Sequence, residues 1–109
     1  MELKTDVGFC RNGIKALVVK TAGFDSLPID DLEYCFRIAL DRINPRTDFI
    51  IFDPERLGKP YLEDEGRTLI VPSPNIDKKV YAKLDDYNGN EEEAFGYRWV
   101  ITLMLAEEY

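Results

Sequence analysis

The spacing of apolar positions along this chain changes several times, and each change marks an element. Around Asn12-Gly13, a dipeptide favoured in type I′ hairpin turns because both central residues take positive φ, two apolar-bearing runs face each other. A two-residue loop there sets Arg11 against Ile14, Phe9 against Ala16 and Val7 against Val18, so apolar residues agree across one face. The period then lengthens. Ile29, Leu32, Phe36, Ala39, Leu40 and Ile43 recur at helical steps and form a stripe that must face a sheet, with Cys35 beside it. The opening Ser26-Leu27-Pro28-Ile29-Asp30-Asp31 offers a capping hydroxyl, an early proline and two acids for the positive end of the helix dipole. The spacing predicts a helix from Pro28 to Asn44, ended by Pro45.

Strand patterns follow. Asp48 to Phe52 holds a continuous apolar run, Thr68 to Val71 is a short β-rich run stopped by Pro72 and Pro74, and Val80, Ala82 and Leu84 alternate with Lys79, Tyr81 and Lys83. A charged connection from Asp53 to Gly66 separates the first two, and Glu63, Asp64, Glu65 and Gly66 look like a solvated turn within it. Ala94 to Ala106 is the most apolar stretch. As a strand it places Phe95, Tyr97, Trp99, Ile101, Leu103 and Leu105 on one face, whereas as a helix its apolar residues would surround the axis. Periodicity, Gly96 and the β-branched and aromatic content favour the strand, which makes a long hairpin with its tip at Asp86 to Glu93. The expected fold is α+β: a mostly antiparallel sheet of five to six strands (N-terminal hairpin, one long helix, then three to four strands) packed on one amphipathic helix. A single domain spanning residues 1–109 accommodates it.

Charge sharpens this outline. The chain carries 14 basic and 21 acidic residues, a net −7. Between Asp85 and Tyr109 the acids Asp85, Asp86, Glu91, Glu92, Glu93, Glu107 and Glu108 face Arg98 alone, so almost the whole excess lies there. Such a chain repels nucleic-acid phosphates and anionic membranes and favours basic partners. No apolar run approaches the roughly 20 residues of a membrane helix. The start Met1-Glu2-Leu3-Lys4-Thr5-Asp6 lacks the basic-then-apolar pattern of a secretory signal. Cys10 and Cys35, outside any Cys-x-x-Cys spacing, are expected to be free thiols, and the expected compartment is the cytoplasm.

The chain contains no histidine, which removes Ser-His-Asp and Cys-His catalysis and imidazole-based zinc sites. Neither a Gly-x-x-x-x-Gly-Lys-Ser/Thr loop nor a Gly-x-Gly-x-x-Gly turn occurs. Asp30 and Asp31 are expected to be first-turn helix acids, and Cys10 has only Arg11 and Lys15 near it in sequence to activate its thiol. An EF-hand alignment fails in both registers. Matching Gly89 to the loop glycine puts Leu84 and Phe95 on ligand positions, and starting at Asp86 puts Glu91 where the glycine belongs. No catalytic residue, metal ligand set or cofactor is therefore assigned.

Two surfaces remain as candidates. The first is the acidic tip, Asp85, Asp86, Tyr87, Glu91, Glu92 and Glu93, where five acids would steer a basic partner around an aromatic anchor, Tyr87; the alternative is a solvated, self-repelling turn. The second, weaker one is Arg56, Lys59 and Tyr61 in the Asp53–Tyr61 loop, which could meet an anionic group or simply form an ordered connection. The expected function is a non-catalytic protein-binding module, of the kind formed by small acidic inhibitors and immunity or phage-type anti-defence proteins. It would occupy a basic surface of a larger partner, with nucleic-acid-binding proteins among the candidates and without contacting nucleic acid or membrane itself. Competing expectations are a small-ligand binder or minor enzyme with a pocket between helix and sheet, and a homo-oligomeric subunit assembling through the C-terminal strand.

Overall fold

In the computed structural model, which describes residues 3–64, 66–73 and 78–109, the chain forms a seven-stranded mixed sheet with one long helix on it. The strands are β1 (Leu3–Phe9), β2 (Lys15–Thr21), β3 (Phe49–Asp53), β4 (Leu62–Asp64), β5 (Thr68–Pro72), β6 (Val80–Asp86) and β7 (Trp99–Leu105). The helices are the short α1 (Ala22–Asp25) and the long α2 (Ile29–Arg42). Glu65 and Pro74, both given roles from sequence, lie outside the described residues.

The spatial order is β1-β2-β7-β6-β3-β5-β4. The α+β class holds, but the expectation of five to six mostly antiparallel strands is corrected: β2 runs parallel to β7 and β3 parallel to β5. The cause is a crossover. The chain leaves β2 through α1 and α2 and returns as β3, beyond a gap of two strand positions, as a crossover connection permits. The antiparallel hairpin of β6 and β7 fills the gap. β7 is thus flanked on both sides and buried on both faces at Val100, Ile101, Leu103, Met104 and Leu105, which is why the segment is so apolar. Its interior position leaves β7 no free edge; among the described residues the sheet edges belong to β1 and β4.

The first hairpin is real, but its register is one residue away from the expected one. Phe9 faces Lys15, Gly8 faces Ala16 and Val7 faces Leu17. Only Gly13 in the turn takes positive φ (90°), so the loop is a three-residue turn with a glycine bulge, closed by Cys10 N–H to Ile14 O (2.7 Å) and Gly13 N–H to Cys10 O (2.9 Å). The slip divides the apolar set. Ala16 and Val18 join the core under α2, while Val7 and Phe9 face away from it. Gly8 allows α2 to cross closely, since a Cβ there would come within 2.7 Å of Leu40 Cδ2 and the leucine would have to shift.

Helix α2 begins and ends inside its expected bounds. Ser26 does not cap it. Its hydroxyl donates back to Ala22 O, the first carbonyl of α1, and Pro28 precedes α2 without a side-chain cap. Cys35, Ala39 and Ile43 form the fully buried line, and Leu32, Phe36 and Leu40 flank it half-buried. Ile29, expected in the stripe, is 65% exposed; Phe24 of α1 fills the core at that end instead. Opposite α2, the sheet's other face carries Phe49 against Tyr81 (centroids 5.0 Å apart) with Tyr109 laid across both.

Candidate functional site

The acidic tip is built by the connection between β6 and β7, residues 87–98. Its base is closed by Tyr87 N–H to Arg98 O (2.6 Å) and by Arg98, whose guanidinium donates to both Asp86 oxygens at 3.0 and 3.1 Å. That bond to Arg98, helped by the Asn88 N–H on the same carboxylate, holds Asp86 below the usual carboxylate range. Asp85 pairs with Lys83 at 3.4 Å on the helix-free face. Two of the five tip acids are thus neutralised locally.

Beyond Asn90 the chain forms a 3-10 turn, Glu91–Ala94, and folds back over the sheet. Ala94 is buried on Leu17 and Val100, and Tyr87 and Tyr97 pack half-buried around them. This corrects the expected strand: residues 94–98 are not part of it, and it begins at Trp99. Tyr87, the expected anchor, lies half-buried in this cluster.

The exposed aromatic group of the tip is Phe95. Gly96 N–H returns to Glu91 O (2.7 Å) and Tyr97 N–H to Ala94 O (3.0 Å), a reversal that puts both Phe95 (φ 53°) and Gly96 (φ 89°) in left-handed backbone. Glycine is at home there; phenylalanine is an outlier. Phe95 is 80% exposed at the end of a turn whose Glu92 and Glu93 are also exposed. Its nearest sequence signal is the acid run followed by Phe-Gly. That signal is hidden because Phe95 falls in phase with the true strand residues from Trp99 onward. A second exposed aromatic, Phe9 (68%), stands at the end of β1, and the Lys15 ammonium lies between it and Tyr97, 5.9 Å and 5.6 Å from the two rings.

The Asp53–Tyr61 loop does not gather its three candidates into a receptor. Asp53 caps the 3-10 turn Pro54–Arg56 through Glu55 N–H, and Arg56 donates Nε and Nη2 to Pro60 O at 3.1 and 2.8 Å. Tyr61 packs against the core beneath Arg42 (4.9 Å), leaving Lys59 exposed.

Both cysteines are free and buried. Burial raises the Cys10 thiol, and burial together with the neighbouring Asp31 pushes Cys35 up to about 12, so neither is poised as a nucleophile. Asp31 itself is buried, whereas Asp30 beside it is exposed. Among the described residues no group of three His, Cys, Asp or Glu side chains is placed to hold a metal ion, and no helix is long and apolar enough to cross a membrane. No protein-family model, curated protein or solved structure matches this chain.

Proposed function

We propose that the chain is a small acidic protein-binding module that occupies a basic surface of a larger partner through the 87–98 connection, acting as an inhibitor or immunity-type protein. The observation that carries this reading is Phe95, an exposed ring held in unfavourable backbone at the end of an acidic turn. Strained backbone persists where surrounding structure enforces it and clusters at functional positions, and aromatic residues are enriched at the cores of protein interfaces. Glu91, Glu92 and Glu93 supply long-range attraction and Phe95 the short-range contact. The buried free thiols suit a reducing cytoplasm.

Wild-type protein, the triple variant Glu91→Gln/Glu92→Gln/Glu93→Gln and Phe95→Ala are used as parallel baits on the cognate cell extract, and the retained partner is then purified for kinetics. The acid-neutralised variant is expected to associate about tenfold more slowly at low salt, with the gap closing at high salt. Phe95→Ala is expected to leave association near wild type and to dissociate roughly 30-fold faster, as for an anchor worth about 2 kcal/mol. A partner indifferent to both changes overturns the reading.

A further inference from the structure

An asparagine side chain can be attacked by the backbone nitrogen of the residue that follows it, and a following glycine leaves that nitrogen uncrowded. Of the five asparagines, Asn12 and Asn88 precede glycine, whereas Asn44 precedes Pro45, which has no N–H to lose. Both pairs stand exposed in turns between strands, and Gly13 and Gly89 both take positive φ (90° and 87°) with open space where a Cβ would stand. Access does not tell them apart. Hydrogen bonding does. Gly13 N–H donates to Cys10 O at 2.9 Å and Asn12 Oδ1 accepts from Ile14 N–H at 3.2 Å, so the attacking nitrogen and the attacked group are both tied into the first turn. In the β6–β7 connection the bond that crosses the turn, Asn90 N–H to Tyr87 O (2.7 Å), passes over both reacting groups. The Asn88 backbone N–H is anchored on Asp86 Oδ1 at 2.9 Å, but among the described residues nothing hydrogen-bonds to the Asn88 side-chain amide or to Gly89 N–H.

We infer that Asn88-Gly89 is a self-modification site, where Asn88 converts to aspartate and isoaspartate while the fold protects Asn12-Gly13. The Gly89 nitrogen gives up its proton and bonds to Asn88 Cγ. The Cγ–Nδ2 bond breaks, and that nitrogen leaves as ammonia with the proton. Water then opens the cyclic imide at either carbonyl, its hydroxyl going to carbon and its proton to nitrogen. Water is the sole co-reactant. Either product adds a carboxylate between Asp86 and Glu91 and takes the net charge from −7 to −8. Isoaspartate also routes the main chain through the side-chain carbon, which lengthens the turn that the Asn90 to Tyr87 bond spans. The reaction does not depend on what the acidic tip binds.

The test incubates the full chain in heavy-oxygen water at mildly alkaline pH, folded in dilute buffer and unfolded in urea. Trypsin then cuts after Arg11, Lys15, Lys83 and Arg98, so mass spectrometry reads the two asparagines on separate peptides. In the folded chain the Asn88 peptide should take up heavy oxygen at least about tenfold faster than the Asn12 peptide, a factor that two extra hydrogen bonds readily impose on a reaction that must break them. In urea the two rates should converge. The folded-state rate should rise with pH because the Gly89 nitrogen must shed its proton, and isoaspartate should form beside aspartate, as methylation by a protein-isoaspartate methyltransferase would show. Asn88→Gln, at an exposed position, should abolish uptake in its own peptide and leave Asn12 unchanged. Equal rates in the folded chain, an Asn88 preference just as large in urea, or aspartate without isoaspartate overturns the inference. So does a folded chain in which neither site converts while both convert in urea.

Discussion

Left-handed backbone at a residue with a Cβ costs about 1–2 kcal/mol relative to the right-handed form. Among the described residues other than glycine only Phe95 adopts it, although Gly96 stands next to it. The turn would accept asparagine at this position, since its short polar side chain tolerates left-handed backbone without the extra chain entropy of glycine. Phe95→Asn is therefore expected to raise stability by about 0.5–1 kcal/mol, read as a higher urea midpoint at unchanged slope. Phe95→Ala keeps the conformational cost and should stay within about 0.5 kcal/mol of wild type, because an exposed ring contributes little to the fold. Both variants remove the ring from the proposed interface, so stability and binding separate. A midpoint for Phe95→Asn at or below that of Phe95→Ala would refute the strain argument.

At the scale of elements, the C-terminal 3-10 turn (Ala106–Glu108) acts as a clasp. The Glu108 carboxylate accepts from Thr21 Oγ1 (2.6 Å), Leu105 N–H (3.0 Å) and Gly23 N–H (3.1 Å), tying the ends of β2 and β7 to the start of α1. Gly23 leaves room for it, since a Cβ there would come within 2.5 Å of the carboxylate. Burial pushes the Glu108 carboxyl up, but the hydrogen bonds from Thr21, Leu105, Gly23 and Phe24 outweigh it and the net direction is down from 4.5. A depressed acid stabilises the fold above its unfolded pKa, and that contribution disappears as pH falls through the folded value. Glu108→Ala should thus cost about 1–3 kcal/mol at neutral pH, and the gap to wild type should narrow as pH falls below 4.5. Denaturant midpoints across that range check it; a gap independent of pH would mean that packing, not charge, holds the clasp.

Most elements at this scale are legible in the amino-acid pattern. β3, β5, β6, β7 and α2 announce themselves because each buries a periodic face, and burial is what periodicity records. β4 does not, since Leu62, Glu63 and Asp64 are all exposed and carry no inside-outside signal. Nor does the order of strands, because the insertion of β6 and β7 between β2 and β3 is decided by contacts distant in sequence. The hairpin slip shows how fine the boundary is: one turn residue in positive φ instead of two moves every side chain of β1 to the other face. At the candidate site the acids are visible as composition, but which of Tyr87 and Phe95 projects depends on how the connection folds back over Leu17 and Val100.

For the molecule as a whole, the same net −7 that would draw in a basic partner works against the folded state, which holds those charges close together. The ion pairs seen here, such as Lys78–Glu107 and Arg11–Asp41, join exposed side chains, and pairs of that kind contribute about 0–1 kcal/mol each. Screening weakens both effects, so the sign of the salt response reports which is larger. At about 0.01 M salt the Debye length is roughly 30 Å, comparable with the 40 × 31 × 21 Å extents of the fold, and every acid senses the others. Near 0.1 M it falls to about 10 Å, below the 13.2 Å radius of gyration, and repulsion across the molecule is lost while contact pairs survive. Stability should therefore rise with sodium chloride over this window, by a few tenths to about 1 kcal/mol, while association with the partner slows. Thermal unfolding and stopped-flow association in one salt series would show the opposed trends. If Tm falls with salt, local pairs outweigh net repulsion; if association is also insensitive to salt, the acidic surface does not steer the encounter.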